Sequence, residues 1–457
     1  MSNIKSSSVG TVDSAQIEKS AIKKIMIRLV PFVALMFFIN YMDRVAIGFA
    51  GPNGLNSDLS LTAAQFGMAS GIFFIAYILL EVPNNVLLNK FGARRWLSRI
   101  MVSWGIVSML FTWVQNYEQL VALRFLLGVA EAGFFPGAIF FLSVWVPSRH
   151  RAKILATFYV AQPLTTVFGA PIASMLINAH GLFGLEGWRV MFLGVSIPAI
   201  LVGIAAFFYL TDKPADAKWL TKEEAEWLTR ELEREDAAKG NKGVHPRVRD
   251  AFTNGRVWAL GLVYFGLVYG FYALAFFLPT IISGFEKVIG APLTVLDRGL
   301  LTAVPYLPAA AALLLWSHYV HKKGIAIWHV ALPAAIGAIS VPLALYAGSP
   351  TATIAVITVT ASCIFAAFPV FWSIPARFLS GVTAAAGIAL IGSIGNFAGF
   401  VASFVTGFLK DTTGGYEVAM FVVGGAMMMS AITLVILDRQ KISSSFAEKI
   451  VSPETEG

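Results

Sequence analysis

Arg124 and Glu131 stand seven residues apart in the apolar run Leu123–Gly137, LRFLLGVAEAGFFPG. An ionised side chain at bilayer depth is expensive, and such groups belong to substrate sites, proton relays or paired networks. On a helix this spacing puts both on one face, about two turns or roughly 10 Å apart. That face must look into protein or water, because lipid solvates neither charge. A second charged stretch, Asn40-Tyr41-Met42-Asp43-Arg44, lies in an earlier apolar run. Arginine keeps its charge and presents a planar fork of donors that matches a carboxylate. Arg44 and Arg124 are therefore candidates to bind an organic anion, a dianion included. The alternative is that Arg44 stays paired with Asp43 or Glu131. Burial disfavours an ionised carboxylate and a neighbouring arginine favours it, so a carboxylate under both influences can titrate near neutral pH. Glu131 and Asp43 are the candidate proton-coupling groups.

These residues need elements that hold them at one depth. The chain has 457 residues, 57% hydrophobic and 13% charged, with mean hydropathy +0.72. A soluble domain carries far more charge, so the composition implies an all-α integral membrane protein. The net charge of +8 resides in loops and flanks and does not point to nucleic acid. At about 20 residues per span, the length accommodates twelve helices. We read them at 25–50, 66–88, 97–114, 120–145, 155–177, 190–210, 257–282, 300–320, 327–346, 352–374, 384–408 and 418–437.

Lys90, Arg94, Arg95 and Arg99 follow the second span, and Arg149, Arg151 and Lys153 the fourth. Lys322 and Lys323 follow the eighth, Arg377 the tenth, Arg439 and Lys441 the last, while 51–65 has no Lys or Arg. The positive-inside rule then predicts both termini in the cytoplasm and a bacterial-type inner membrane location. Arg44 falls near the outer end of the first span and Arg124 near the outer start of the antiparallel fourth, so their depths match.

The charged connection 211–256 separates two six-span halves, 25–210 and 257–437, flanked by tails 1–24 and 438–457. Thr221 with Glu224 forms a candidate capping box, and Trp227, Leu228 and Leu232 an apolar stripe, so a surface helix is expected there. The segment is too short to bury a core of its own. Met1–Gln16 is polar and Ser-rich without a signal-peptide core, and is expected as a disordered tail. One cysteine, Cys363, excludes an internal disulfide and a cysteine metal cluster.

The second span ends Asn85-Val-Leu-Leu-Asn89-Lys90-Phe-Gly92-Ala-Arg94-Arg95. This resembles the loop signature of the major facilitator superfamily, G-x-x-x-D-R/K-x-G-R-R/K, with Asn85 in place of the first glycine and Asn89 in place of the acid. The stretch Trp316–Gly324 is a weaker counterpart, with His318 where an acid is expected. The resemblance makes Lys90, Arg94 and Arg95 part of a cytoplasmic gate latch; the alternative is that they only set topology. Asn40–Arg44, Leu123–Gly128 with Glu131–Gly137, Lys218–Thr221, Leu278–Thr280 and Gly387 through Asn396 resemble the anion:cation symporter family over nearly the whole chain. Within it the chain looks most similar to bacterial carriers of tartrate, phthalate and similar carboxylates. That resemblance implies the major facilitator fold and import of a carboxylate anion by proton symport with alternating access. The acid would be tartrate-like, a sugar acid, or aromatic such as phthalate, carried by a functional monomer without a cofactor. It also places Tyr41, Tyr77, Gln162, Trp372 and Asn396 on the wall of the substrate cavity.

Physical readings accompany these assignments. Gln162 precedes Pro163, where the helical ladder is broken and a cavity is expected. The Trp372 ring suits an apolar or ring-shaped part of a ligand. Glu81, four residues after Tyr77, is expected as a gate salt bridge to a loop arginine. Pro136 is expected to kink the fourth span, while Gly133, Gly137, Gly395 and Gly399 are close-approach positions. The six histidines fall at or near loops, against a histidine relay. An exchanger or uniporter of the same fold is the nearest alternative. A receptor or channel comes next, disfavoured because the second half lacks the charged rings of an ion pore. No nucleophile–base pair or metal-ligand cluster stands out, so no enzyme is expected.

Overall fold

Long apolar runs in a bilayer leave the backbone only its own hydrogen bonds, which selects helices. The computed structural model describes residues 6–238, 252–375 and 381–451, and no strand occurs among them. The first half contains α1 (Ser6–Ala50), α2 (Ala63–Phe91), α3 (Ala93–Leu110), α4 (Tyr117–Glu131) with α5 (Phe134–Trp145), α6 (Ser148–Tyr159) with α7 (Ala161–Asn178), and α8 (Gly187–Tyr209). A connecting helix, α9 (Lys222–Ala238), follows. The second half contains α10 (Gly255–Ser283), α11 (Val295–Ala303) with α12 (Tyr306–Lys323), α13 (Trp328–Leu343), α14 (Pro350–Phe371), α15 (Gly381–Thr413) and α16 (Glu417–Val451). Twelve spans in two six-helix halves result, three of them built from two helical segments. Among the described residues, ten helices are long and apolar enough to cross a membrane. The third span, with Arg94, Arg95 and Arg99, and the fifth, interrupted at Val160, fall short of that measure.

Several boundaries differ from the sequence reading. The tail expected to be disordered is helical from Ser6, continuous with the first span, and the last helix continues to Val451. Arg377 and residues 239–251, and the side chains of Asn89, Lys153 and Lys441, lie outside the described residues. The fourth span is broken rather than kinked, and the break precedes Pro136 instead of starting at it. Pro136 is the third residue of α5, where its missing N–H would have no intrahelical partner.

The connecting helix is docked on the first half. Thr221 and Glu224 form the capping box, with Thr221 N–H donating to Glu224 Oε2 at 2.8 Å and Glu224 N–H to Thr221 Oγ1 at 3.3 Å. Glu224 also accepts from Lys24 Nζ and Ser20 Oγ of α1, each at 2.6 Å. Leu228 is buried, with Trp227 and Leu232 packed beside it, as the stripe predicts.

The halves meet closely on the face away from the chain ends. α2 runs along α15, α7 against α11 and α12, and α1 against α10. A methyl added to Gly67 or Gly407 would collide with the carbonyl of Ser403 or of Ala63 in the opposite half. Asp411 of α15 accepts from the N–H groups of Ala63 (3.0 Å) and Ala64 (2.7 Å) at the start of α2. Arg298, paired with Glu286 at 2.8 Å, donates to Asn53 Oδ1 of the first half at 2.9 Å.

Candidate functional site

Where the halves separate, toward the face that carries the chain ends, they enclose a cavity of about 480 Å³. Its wall takes residues from the later part of α2 (Tyr77, Glu81, Asn85), the start of α5 (Phe135, Pro136, Ile139) and the early part of α15 (Ile388–Asn396). The remaining wall is largely aromatic: Phe37, Tyr41, Tyr159, Tyr264, Phe271, Tyr272, Phe368 and Trp372. Tyr41, Tyr77, Gln162, Trp372 and Asn396 all border it, as does Arg44. Among the described residues Arg44 is the one cation on this wall.

Arg44 is held from several sides. Its Nε donates to Glu131 Oε1 at 2.8 Å and its Nη2 donates to the same oxygen. Nη1 reaches the hydroxyl of Tyr272 in the second half at 3.3 Å. The guanidinium also lies 5.0 Å from the Phe73 ring and 5.1 Å from the Tyr77 ring, a stacking suited to arginine. The ion pair is therefore with Glu131, and Asp43 is not its partner. Asp43 points elsewhere, accepting the Ser108 hydroxyl at Oδ1. Among the described residues, Glu131 Oε2 and Asp43 Oδ2 have no hydrogen-bond partner.

The expectation that two arginine forks share the cavity does not hold. Arg124 has no exposure, does not border the cavity, and donates to the backbone carbonyls of Ala69 (3.2 Å) and Ser70 (3.1 Å) in α2. It shares the Phe73 ring with Arg44, at 5.2 Å on its own side. Equal depth brought the two arginines near each other, but their azimuths differ. Glu131 and Asp43 are likewise buried behind the wall.

Glu131 occupies the last residue of α4, and the chain breaks immediately after it. Ala132 is extended (φ −53°, ψ 133°) and Gly133 left-handed (φ 85°, ψ −3°) before α5 begins. Only glycine takes that conformation without strain, and a Cβ at Gly133 would stand 2.7 Å from the Cβ of Asn84. A span broken midway along its length, with a carboxylate at the break and a cavity beside it, is the way transporters place a binding site. The fifth span is interrupted more mildly at Val160, whose backbone stays helical (φ −61°, ψ −26°), three residues before Pro163 and next to cavity-lining Gln162.

The family model described as Major Facilitator Superfamily matches residues 33–403. The chain belongs to the Major Facilitator Superfamily. This transporter is 44% identical over 426 residues to the "Putative tartrate transporter" of Agrobacterium vitis, across 93% of this chain and 96% of that one. It is 36% identical to the quinolone resistance transporter of Acinetobacter baumannii, across 94% and 99%. The xylose transporter XylE from E. coli, in a partially occluded inward open conformation, matches with a TM-score of 0.69 over 89% of this chain and 98% of that one. Its identity is 16%, so that likeness concerns the fold alone.

The residues proposed for the gate separate in this transporter. Glu81 borders the cavity and accepts from Asn396 Nδ2 of the second half at 3.3 Å, instead of meeting a loop arginine. Arg94 donates its backbone N–H to Asp212 Oδ1 at 2.8 Å and lays its guanidinium over Phe207, both in or beside the first half. Lys90 and Arg95 are exposed at the same end. Reasoning from sequence missed Phe73, Ser108 and Asp411. Phe73 and Ser108 look like ordinary span residues, and Asp411 sits at a span end where a loop acid is unremarkable.

Proposed function

We propose that this transporter imports an organic carboxylate together with protons, by alternating access around the cavity at Arg44. It works as a monomer in the inner membrane, with both termini in the cytoplasm. The observation that carries this reading is that Arg44 is tied to a buried carboxylate whose second oxygen is unpartnered. A substrate carboxylate must compete with Glu131 for the same fork. Counting Glu81, three carboxylates stand around Arg44 and Arg124, so with all ionised the site opposes an anion. Protonating Glu131 frees the Arg44 fork and shifts the local charge toward an incoming anion, which links proton and substrate occupancy. Asp43, buried and held by the Ser108 hydroxyl, is the second candidate for the same role. The name of the Agrobacterium relative supports a tartrate-like acid as the first substrate to try.

The test begins with a thermal-shift panel of tartrate, sugar acids, hydroxyphenylacetate and phthalate, since a bound ligand raises the melting temperature. The acid that stabilises most is then followed into proteoliposomes. Wild type should accumulate it against its gradient when only a pH difference is imposed. Glu131→Gln, fixed in the equivalent of the protonated form, should still exchange labelled for unlabelled acid but lose accumulation. If that variant still accumulates, Asp43→Asn takes its place in the assay, and coupling retained in both variants removes the proton-symport reading.

A further inference from the structure

We infer that Glu81 is a specificity residue that reads a hydrogen-bond donor on the substrate, a hydroxyl or ammonium roughly one helical turn, about 6 Å, from the carboxylate held at Arg44. The inference rests on the carboxylate reading of the cavity and adds the second point of attachment.

Glu81 lies one turn after Tyr77 on α2, and the Tyr77 ring lies beneath the Arg44 guanidinium at 5.1 Å. The two charged groups therefore mark neighbouring levels of one wall. An ionised carboxylate accepts and does not donate, whereas a guanidinium donates and does not accept. The other polar groups on the wall, such as Tyr77, Gln162, Tyr264, Ser393 and Asn396, can do both. Arg44 and Glu81 are the charged groups that impose a polarity on the ligand, an acceptor at one end and a donor at the other.

Glu81 has little protein to satisfy it. Among the described residues its one hydrogen bond is the long contact from Asn396, at 3.3 Å. Basic residues near the end of α2 are engaged elsewhere: Lys90 lies over Phe91, and on α3 Arg99 donates to Asn84 at 2.8 Å and lies over Trp96 while Arg94 lies over Phe207. A carboxylate left facing an anion-binding cavity would repel its ligand unless the ligand brings a donor to it. A site built to accept from a substrate hydroxyl or ammonium then rejects the analogue that lacks it, because the acceptor is left unpaired.

The test measures dissociation constants of purified full-length protein for matched acids. One set is pentanoate, 5-hydroxypentanoate and 5-aminopentanoate; the other is phenylacetate, 4-hydroxyphenylacetate and 4-aminophenylacetate, so that each donor can stand about 6 Å from the carboxylate. Wild type should prefer the hydroxylated or the aminated member over its unsubstituted parent by at least tenfold, and the preferred member identifies the donor. In Glu81→Leu the preference should fall below threefold, while Glu81→Gln, which keeps a neutral acceptor, should retain part of it. Each ratio is taken within one sample, so incomplete folding of a variant cancels. A preference that survives in Glu81→Leu, or its absence in wild type that binds every member equally, overturns the assignment alone. Failure of wild type to bind any of the six acids overturns the carboxylate reading and this inference with it.

Discussion

Replacing Gly133 with alanine should unseat Glu131 and destabilise the first half. Gly133 has φ 85°, where an L side chain costs about 1–2 kcal/mol. The added methyl would stand 2.7 Å from the Asn84 Cβ, and Asn84 is pinned. Its amide donates to Leu80 O at 3.0 Å and its oxygen accepts from Arg99 at 2.8 Å. A Cβ moves only with its backbone, so overpacking adds roughly 1–3 kcal/mol. The total is about 2–5 kcal/mol, which at a few degrees per kcal/mol lowers the melting temperature by roughly 5–15 °C. Gly137→Ala is the control. Its methyl would approach Leu88 Cδ1 at 2.5 Å, the far end of a side chain, and Gly137 has no positive φ. That variant should lose about 1 kcal/mol, a few degrees. Equal melting temperatures for the two variants would refute the argument that a left-handed break, and not mere crowding, positions Glu131.

Three other perturbations separate the roles argued above. Arg44→Lys keeps a charge but loses the fork and the ring stacking, so affinity for the transported acid should fall at least tenfold, about 1.4 kcal/mol; Arg124→Lys should lower the melting temperature while changing affinity less, and the reverse order, read by calorimetric titration, would place Arg124 in the cavity after all. Asp411→Ala removes a cross-half helix cap worth about 1–2 kcal/mol, so labelling of Ser403→Cys by an impermeant maleimide, in a Cys363→Ser background, should quicken about five- to thirtyfold, and an unchanged rate would show that Asp411 does not hold the halves closed. Burial pushes Glu224 up, but its bonds from Lys24, Ser20 and Thr221 outweigh this and hold it below the ordinary 4.5; docking of α9 is then fully present above that value and lost as pH falls through the lowered one, so pH 6–8 should leave it intact, and Glu224→Gln should raise hydrogen exchange of the Ala225–Glu231 amides several-fold at pH 7.

Much of the fold was legible because hydropathy reports burial along one dimension. The twelve spans, the charged connection and the Thr221–Glu224 cap are all local patterns of period or spacing. The breaks were harder. Gln162–Pro163 announced one, since proline removes a donor in mid-helix, but the left-handed turn at Gly133 carries no signature beyond a glycine, and Pro136 drew attention to the wrong residue. Depth arithmetic placed Arg44 and Arg124 at one level and could not supply the rotation of α4 about its own axis, which turns Arg124 toward the α2 backbone. Glu81 shows the opposite case. It is four residues from Tyr77 and shares its face, so a cavity position for one implies a cavity position for the other. The salt-bridge reading overlooked that periodicity.

The distribution of charge between the halves fits the alternating access proposed above. Arg44, Asp43, Arg124 and Glu131 all belong to the first half, and the Arg44–Glu131 pair lies entirely within it. Breaking a buried ion pair leaves two uncompensated charges and costs several kcal/mol, so a pair that protonation and substrate are to open, and not the movement of the halves, belongs inside one rigid body. Contacts across the halves have another character among the described residues. Arg44 meets the neutral Tyr272, Asp411 meets backbone N–H groups, Arg298 meets Asn53 and Asn396 meets Glu81. Each joins one charged group to a neutral partner, a bond that water or substrate can replace without stranding an opposite charge. A few such bonds, each contributing about 1 kcal/mol net, bias one arrangement of the halves without locking it. The two that touch the cavity, at Tyr272 and Asn396, are the ones a bound substrate is placed to exchange.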